Sequence, residues 1–440
     1  MTQGGPVHDP RTQPRPRARR TSRALTIAAA CTVLLTVTTC SSGDDATSAS
    51  GDAPDDQAIA ELLGPDDPAA GEPVKIGMVS DGTTVAYDAA DELRAAEATA
   101  EYWNAHRGGI GGRPIDVVTC ETGGDPAGAT DCGNQMVEQD VVAVAQSQSA
   151  VGDSLWEPVH AAGIPTMFFQ TSSQGALLDN QSSFAIVNPL TTLFGLPITV
   201  ANDEGTDKIA FVLIDVPQAV QALETLGPAV MGQAGLYYDV IRIPPGTADM
   251  TAQMQQVVDS GVGVVQVTGN DAFCIAAFNG LNAVGYQGKI ATLSQCITNA
   301  TREAVPGDVL DGIEVASSVA MGATDDPTYQ LYQAVMATYG DDVHHVDDPT
   351  AMGGYTAMAA LATALDGITG DITPESVTAT IKAMRPADLP GGGGVTFQCS
   401  GTTSTLLPAV CTNEWLQTSL DTDGQPTTYQ RIDSTDILPQ

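Results

Sequence analysis

The sequence predicts an α/β protein built from two doubly wound lobes, each with a central, mostly parallel sheet. Three observations support this fold class. Short apolar runs alternate with amphipathic stretches from residue 73 onward, the alternation restarts near residue 208, and the 42% apolar content is enough for more than one core. Strands separated by helices pair in parallel through right-handed crossovers, and such sheets bind ligands at the carboxyl ends of their strands.

The first run begins with a buried strand at residues 74–79. A helix at 87–106 follows, because Leu93, Ala96 and Ala100 recur at helical spacing. The remaining elements of this run are predicted strands at 115–119, 141–145 and 165–169 and predicted helices at 126–139 and 152–162.

The second run predicts strands at 208–214, 237–243, 262–267 and 289–293, separated by helices at 217–234, 248–260 and 271–284. Three late helices follow at 327–340, 350–366 and 374–384. The four glycines at 391–394 precede a short strand at 395–397 rather than the Lys, Ser/Thr and helix of a phosphate-binding loop, so they indicate a turn.

The charge of the chain excludes several classes of function. Its 440 residues include 53 acidic and 17 basic side chains, which gives a formal net charge of -36. Six of the basic residues are arginines within the first 23 positions, so the remainder is still more acidic. Such a chain repels nucleic acid and anionic lipid surfaces, and we expect it to bind neither through basic residues.

The N-terminus is typical of an export signal. A basic segment ends at Arg23, an apolar stretch occupies 24–39, and Cys40 is followed by Ser, Gly and Asp. This junction resembles a bacterial lipobox, with Thr39 where Gly, Ala or Ser is usual. We therefore expect a signal peptide at 1–39, lipidation of Cys40, a flexible acidic linker at 40–72 and a body held at the outer face of the cytoplasmic membrane. Ordinary signal cleavage is the alternative, and Arg19-Arg20 leaves the twin-arginine route open.

The six remaining cysteines fall into three local pairs. Exported chains oxidise, so an even count in local pairs predicts disulfides, although six cysteines permit 15 pairings. Neighbour pairing would join Cys120 to Cys132, Cys274 to Cys296 and Cys399 to Cys411. A zinc site is the weaker alternative because these cysteines form no C-x-x-C and have no histidine at ligand spacing.

Several motifs in order resemble the type I periplasmic binding proteins, in particular the Leu/Ile/Val-type substrate-binding subunits of ABC importers. They include Val74-Lys75-Ile76-Gly77, the helix end 104–115 that reads NAHRGGIGGRPI, and Gly354-Tyr355-Thr356-Ala357. The resemblance covers about residues 73–435. It implies one lobe from 73–192 and 322–400 and another from 193–321 and 401–440. A three-segment hinge would join them near 190–196, 318–326 and 396–404.

The resemblance also implies that a small solute is held between two closing lobes. In the first lobe the expected contacts are hydroxyls and an amide beyond the strands: Ser80, Thr83, Ser147, Gln148, Ser149, Thr171, Ser172 and Ser173. In the second lobe they are Asp215, Asn270, Asp271 and Gln295. Amino-acid binders carry an acid near the last strand tip, where this chain has Ser294 or Gln295. The solute class therefore stays open among amino acids, amides and carboxylates.

The implied partners are the solute and the permease and ATPase subunits of an importer, with the protein a monomer that needs no cofactor or metal. A signalling role for the same fold is an alternative. An enzyme is the third reading, since Gly152-Asp153-Ser154-Leu155 matches the G-D-S-L block of an esterase family and 341–345 contains D-x-x-H. The acidic stretch 341–348 is expected to be a solvated loop rather than a metal site.

Overall fold

The computed structural model describes residues 56–84, 88–435 and 437–438. The predicted signal peptide and the lipidation site Cys40 lie outside these residues. Within them, no helix combines the length and the apolar character needed to cross a bilayer.

The first lobe contains a five-stranded sheet that is parallel throughout, in the order β2-β1-β3-β4-β5. Its strands are β1 (Val74–Ser80), β2 (Ile115–Glu121), β3 (Ala143–Gln146), β4 (Thr166–Phe168) and β5 (Ser183–Ala185). The helices that precede or separate them are α1 (Asp56–Leu63), α2 (Asp91–His106), α3 (Pro126–Glu138), α4 (Gly152–Ala161) and α5 (Gln174–Leu178).

The second lobe contains a seven-stranded mixed sheet in the order β14-β13-β10-β9-β8-β6-β7. Five strands are parallel: β6 (Lys208–Ile214), β7 (Tyr237–Ile243), β8 (Val264–Thr268), β9 (Lys289–Leu293) and β10 (Glu314–Ser317). The helices of this lobe are α6 (Leu196–Glu204), α7 (Pro217–Ala234), α8 (Thr251–Ser260), α9 (Asp271–Ala283), α10 (Asn299–Ala304) and α11 (Gly307–Leu310).

The chain then returns to the first lobe with α12 (Pro327–Tyr339), α13 (Pro349–Ala364) and α14 (Pro374–Ala383). A small hairpin follows, formed by β11 (Ala387–Asp388) and β12 (Thr396–Phe397). Of the last two strands, β13 (Glu414–Ser419) joins the second sheet antiparallel to β10, and β14 (Gln430–Asp433) pairs antiparallel with β13. The sequence analysis did not predict β5, β10, β13 or β14, because strands of three to six residues give little periodicity to detect.

Helix α13 forms the centre of the first lobe, and 13 of its 16 residues are buried. It packs tightly on α2 because Gly354 faces the backbone of Glu92 across the contact. A Cβ at position 354 would lie 2.1 Å from the Glu92 carbonyl oxygen. Glycine at this position therefore sets the distance between the two helices.

The chain passes between the lobes at three places in the described part. The first passage, after β5, includes a π-helical turn at Thr191–Gly195 that continues into α6. The second, after β10, is fixed where Ala320 N donates to Gly391 O at 2.8 Å. In the first passage, Asn188 Nδ2 donates to Asn413 Oδ1 of the third at 2.9 Å.

The third passage lies later than the expected 396–404. Residues 409–411 still run beside β5 of the first sheet, since Ala185 N donates to Ala409 O and Cys411 N donates to Ala185 O, both at 2.8 Å. The chain reaches the second sheet at Glu414. The lobe boundaries expected from the sequence, 73–192 with 322–400 and 193–321 with 401–440, remain a prediction.

The expected flexible linker at 40–72 is wrong for its C-terminal part. Residues 56–63 form α1, which ends with Leu63 buried in the first lobe. The segment after it is tied down by backbone hydrogen bonds, including Asp67 N to Ala105 O at 2.9 Å and Ala69 N to Asn104 O at 2.8 Å. The prediction rested on composition and missed the ordered structure of this segment, because these hydrogen bonds use the backbone rather than apolar side chains.

The predicted neighbour pairing of the cysteines is confirmed. Cys120 joins Cys132, Cys274 joins Cys296, and Cys399 joins Cys411. The three bonds connect β2 to α3, α9 to the turn after β9, and the two ends of the segment 399–411, whose last residues lie beside β5.

Candidate functional site

A buried carboxylate, Asp81, organises the carboxyl edge of the first sheet. It accepts hydrogen bonds from Thr122 Oγ1 at 2.6 Å, Ser149 Oγ at 2.7 Å and Ala150 N at 2.8 Å. Those three donors belong to the loops after β2 and β3, while Asp81 itself follows β1. One fully buried acid therefore joins three strand tips.

Glu92, near the start of α2, is a second buried acid at this edge. Ser80 Oγ donates to its Oε2 at 2.6 Å, and Ser147 hydrogen-bonds it as well. Burial is the main cause that raises the pKa of Glu92 to about 8; the charges of Asp81 and Asp348 act in the same direction, and the hydrogen bonds from Ser80 and Ser147 act against it. Glu92 is therefore mainly protonated at neutral pH.

The N-terminus of α4 also lies at the carboxyl edge of the first sheet, after β3. A Cβ on Gly152 would lie 3.8 Å from Thr171 Oγ1 and 3.9 Å from Gln146 Nε2, so the ends of β3 and β4 converge there. Gln146 is 1% exposed, and its Oε1 has no hydrogen-bond partner among the protein atoms described. Ser173 Oγ, in the loop after β4, donates to the carboxylate of Asp153 in the first turn of α4.

These contacts show where the predicted first-lobe residues lie. Four of the hydroxyls donate to side-chain acids of the protein or are bonded to one: Ser80, Ser147, Ser149 and Ser173. Thr171 Oγ1 accepts from Ser173 N, and Thr83 Oγ1 donates to Asp88. Gln148 and Ser172 are exposed at the edge.

The sequence analysis missed Asp81 and Glu92, which hold these hydroxyls. One signal was present in the sequence, because Asp81 lies two residues after the predicted apolar strand 74–79. The bonds themselves were not visible there, since they join residues 41 and 68 positions apart.

The predicted residues of the second lobe lie at the carboxyl ends of three adjacent strands. Asp215 follows β6 and is exposed. Asn270 follows β8 and caps α9 by accepting from Phe273 N at 3.0 Å, and Asp271 is the first residue of that helix. Gln295 lies in a 3₁₀ turn after β9, next to the disulfide at Cys296.

The connections place the carboxyl edges of both sheets next to the segments that cross between the lobes. The chain leaves the first sheet at the carboxyl end of β5 and leaves the second at the carboxyl end of β10, and each exit leads directly into a passage between the lobes. The carboxyl end of each sheet, where ligands bind in open α/β folds, is therefore next to the crossing segments.

The contacts of these residues do not favour the esterase reading. Ser154 lies in α4, whereas His345 Nδ1 is 3.1 Å from Asp91 Oδ2 on α2, and the backbone N–H groups of His344 and His345 donate to the same carboxylate. The histidine is therefore engaged with a different acid. Among the described residues, no group of three or more His, Cys, Asp or Glu side chains is placed to hold a metal ion.

Replacing Asp81 by Ala should lower the free energy of unfolding by about 3 kcal/mol, because three donors lose a charged acceptor in a buried place. Chemical denaturation measures this loss. The exposed Asp116→Ala on β2 is the control and should change stability by less than about 0.5 kcal/mol. Equal effects for the two variants would contradict the organising role of Asp81.

The family model described as periplasmic binding protein matches residues 73–410. The chain belongs to this family. A search of curated proteins gives no significant match. Periplasmic binding proteins work outside the cytoplasmic membrane, which agrees with the three disulfides of this chain.

Solved structures of periplasmic binding proteins share the fold at low identity. An extracellular ligand-binding receptor from Verminephrobacter eiseniae is 16% identical with a TM-score of 0.67, over 81% of this chain and all of the other. A fatty acid ABC transporter substrate-binding protein from Thermomonospora curvata is 19% identical with a TM-score of 0.64, over 84% and 95%. A branched-chain amino acid transporter substrate-binding protein from Streptococcus pneumoniae, bound to isoleucine, is 15% identical with a TM-score of 0.63, over 82% and 99%.

Proposed function

We propose that this protein is the solute-binding component of an ABC importer, exported and anchored by lipid at Cys40. It captures a small polar solute between its two lobes and delivers the solute to a permease driven by ATPase subunits. The observation that carries the proposal is the topology. Two sheets present their carboxyl ends to three crossing segments, which is the arrangement that hinge closure around a ligand requires.

A feature of the first crossing segment supports the proposal that the lobes move about this hinge. Its first passage contains the π-helical turn at Thr191–Gly195, and such turns are frequent at functional sites. Side chains hold this turn at both ends: Thr191 Oγ1 donates to Asn188 O at 2.7 Å, and Thr199 Oγ1 donates to Gly195 O at 2.9 Å. Closure then needs changes at a few crossing residues while each sheet keeps its packing.

A thermal-shift screen of amino acids, amides, amines and small carboxylates tests the proposal. A solute at a hundredfold excess over its Kd should stabilise the protein by about 2.7 kcal/mol, because it binds the folded state alone. Isothermal titration should then give one site per chain.

Two tryptophan variants locate the binding site in this screen, one as the test and one as the control. Ser172→Trp adds bulk at the exposed edge of the first sheet and should abolish the shift without lowering the Tm of the free protein. Ala283→Trp, exposed at the far end of α9, should leave the shift intact. A screen in which no small solute raises the Tm would contradict solute capture.

A further inference from the structure

A buried hydrogen-bond donor without a partner lies at the hinge. The indole of Trp415, the second residue of β13, is 1% exposed, and its Nε1–H has no acceptor among the described residues. Such donors are rare in folded proteins, because the N–H has lost its bond to water and gained none in return. The indole therefore needs an acceptor in a second state of the protein, or a trapped water.

The indole faces the backbone of the first crossing segment. A Cβ added at Gly195 would lie 3.5 Å from Trp415 Nε1 and 3.7 Å from Cε2 and Cζ2 of the same ring. Gly195 is the last residue of the π-helical turn. Trp415 follows Asn413 by two residues, and the side chain of Asn413 is bonded to that of Asn188 in the first passage. The ring therefore lies where the first and third passages meet.

The π-helical turn has a backbone acceptor that its own helical bonds do not use. Leu196 N donates to Thr191 O, five residues earlier, instead of Thr192 O, four residues earlier. The next residue is Pro197, which has no N–H to give to Thr192 O. The carbonyl of Thr192 thus receives neither the α-helical nor the π-helical bond. A shift of the turn by one residue changes which carbonyl is left in this condition.

A second group without partners lies on the same face of the second sheet. Gln266 in β8 is fully buried, and neither Oε1 nor Nε2 has a partner among the described residues. In register it lies between Phe211 of β6 and Ala291 of β9. Those two residues share one apolar cluster with Trp415 and with Leu196, the first residue of α6. Helix α6 therefore packs on a face that contains unused polar atoms as well as apolar ones.

Taken with the proposed function, on which this step rests, these features lie where the lobes would move. We propose that the π-helical turn has two registers and that Trp415 fixes the lobes in one of them by a hydrogen bond from its indole. In the register described above, the Nε1–H is unbonded. In the other, the turn shifts by one residue and one of its carbonyls accepts from this N–H. Because Trp415 directly follows the third passage, the bond ties that passage to the first.

Nitrogen-15 labelling of tryptophan tests this inference on the purified protein without any solute. The chain has three tryptophans, and Trp103→Phe and Trp156→Phe assign the three indole signals by elimination. Trp156 is the internal reference, because its Nε1 donates to Ser183 Oγ at 2.8 Å. We expect relaxation dispersion on the microsecond-to-millisecond timescale at the Trp415 indole and none at that of Trp156.

The variant Gly195→Ala locates the effect. Gly195 has φ -59° and ψ -51°, which suit alanine, so the variant should fold. Its methyl group would lie between the turn and the indole and should remove the dispersion at Trp415, because the N–H can no longer approach a carbonyl of the turn. Gly232→Ala, inside α7 with nothing within 4 Å of the new Cβ, is the matched control and should leave the dispersion unchanged.

Small-angle X-ray scattering on the same variants measures the position of the lobes. Gly195→Ala confines the hinge to one register, so its radius of gyration should differ from that of the parent, whereas Gly232→Ala should match the parent. An unchanged radius for Gly195→Ala would overturn the link between the turn and the lobes.

The other outcomes are equally decisive. A Trp415 signal without dispersion would overturn the inference, because the N–H would then be permanently unbonded or held by a trapped water. Dispersion that Gly195→Ala leaves unchanged would overturn it as well. Neither result affects solute capture, which the thermal-shift screen decides. A screen without any hit, together with the expected dispersion at Trp415, would make the proposed function fail on its own.

Discussion

Replacing Glu92 by Gln should make the protein more stable at pH 8 than the parent and nearly equal to it at pH 4. The folded-state pKa of Glu92 is about 8, against an ordinary value of 4.5. Between these values the unfolded chain has released a proton that the folded protein keeps, so the parent loses stability as pH rises through this window. The loss amounts to about 1.4 kcal/mol for each pH unit.

The physical cause is the complete burial of the carboxyl, where an ionised form is poorly solvated; this outweighs the hydrogen bonds from Ser80 and Ser147, which favour the ionised form. Glutamine has nearly the same shape as protonated glutamate and does not titrate. The difference in free energy of unfolding between variant and parent should therefore grow from about pH 4.5 and level off near pH 8.

Urea denaturation at four pH values from 4 to 8 measures this difference. Glu101→Gln, at an exposed position of the same helix, is the control for removal of a carboxylate and should change the free energy of unfolding by less than about 0.5 kcal/mol. A constant difference for Glu92→Gln would show that Glu92 ionises in the folded protein much as it does in the unfolded chain.

The substitution Gly354→Ala should destabilise the first lobe by about 3 kcal/mol or more. The new Cβ would lie 2.1 Å from the carbonyl oxygen of Glu92 and 2.8 Å from its Cα. Both are backbone atoms of α2, so no side-chain rotation relieves the contact, and the two helices must move apart. Because α13 is buried along most of its length, that movement disturbs packing on several sides.

Gly232→Ala is the matched control for this experiment. Gly232 is also inside a helix, α7, but a Cβ there has nothing within 4 Å. Alanine should stabilise the protein by about 0.5–1 kcal/mol at that position, because it restricts the unfolded chain and favours the helix. If Gly354→Ala caused no loss of stability, the close contact of α13 with α2 would not set the packing of the lobe.

The sequence analysis was most successful where the information is local. Helical spacing of Leu93, Ala96 and Ala100 predicted α2, and the spacing of the cysteines within each pair favoured the observed disulfides. It was least successful at 56–72, where a polar composition indicated a linker and backbone hydrogen bonds to a distant loop produce an ordered segment.

The candidate site shows the same division. The sequence correctly identified polar residues that follow strands, since the alternation of strands and helices fixes which loops share an edge. It did not show that Ser149 is bonded to Asp81 or that Ser80 is bonded to Glu92. A hydroxyl in a loop has the same appearance in the sequence whether it faces a ligand or a buried acid.

The sequence by itself thus determined the two-lobed α/β class, the acidic character of the chain and the order of its elements, because each depends on composition or on neighbouring residues. The tertiary structure alone decided which acids are buried, which hydroxyls they hold and where the chain crosses between lobes. Those features depend on distances between atoms of residues far apart in the chain, and hydrogen bonding changes completely over an ångström or two. Periodicity assigns a residue to a face, whereas only the packed fold assigns it a partner.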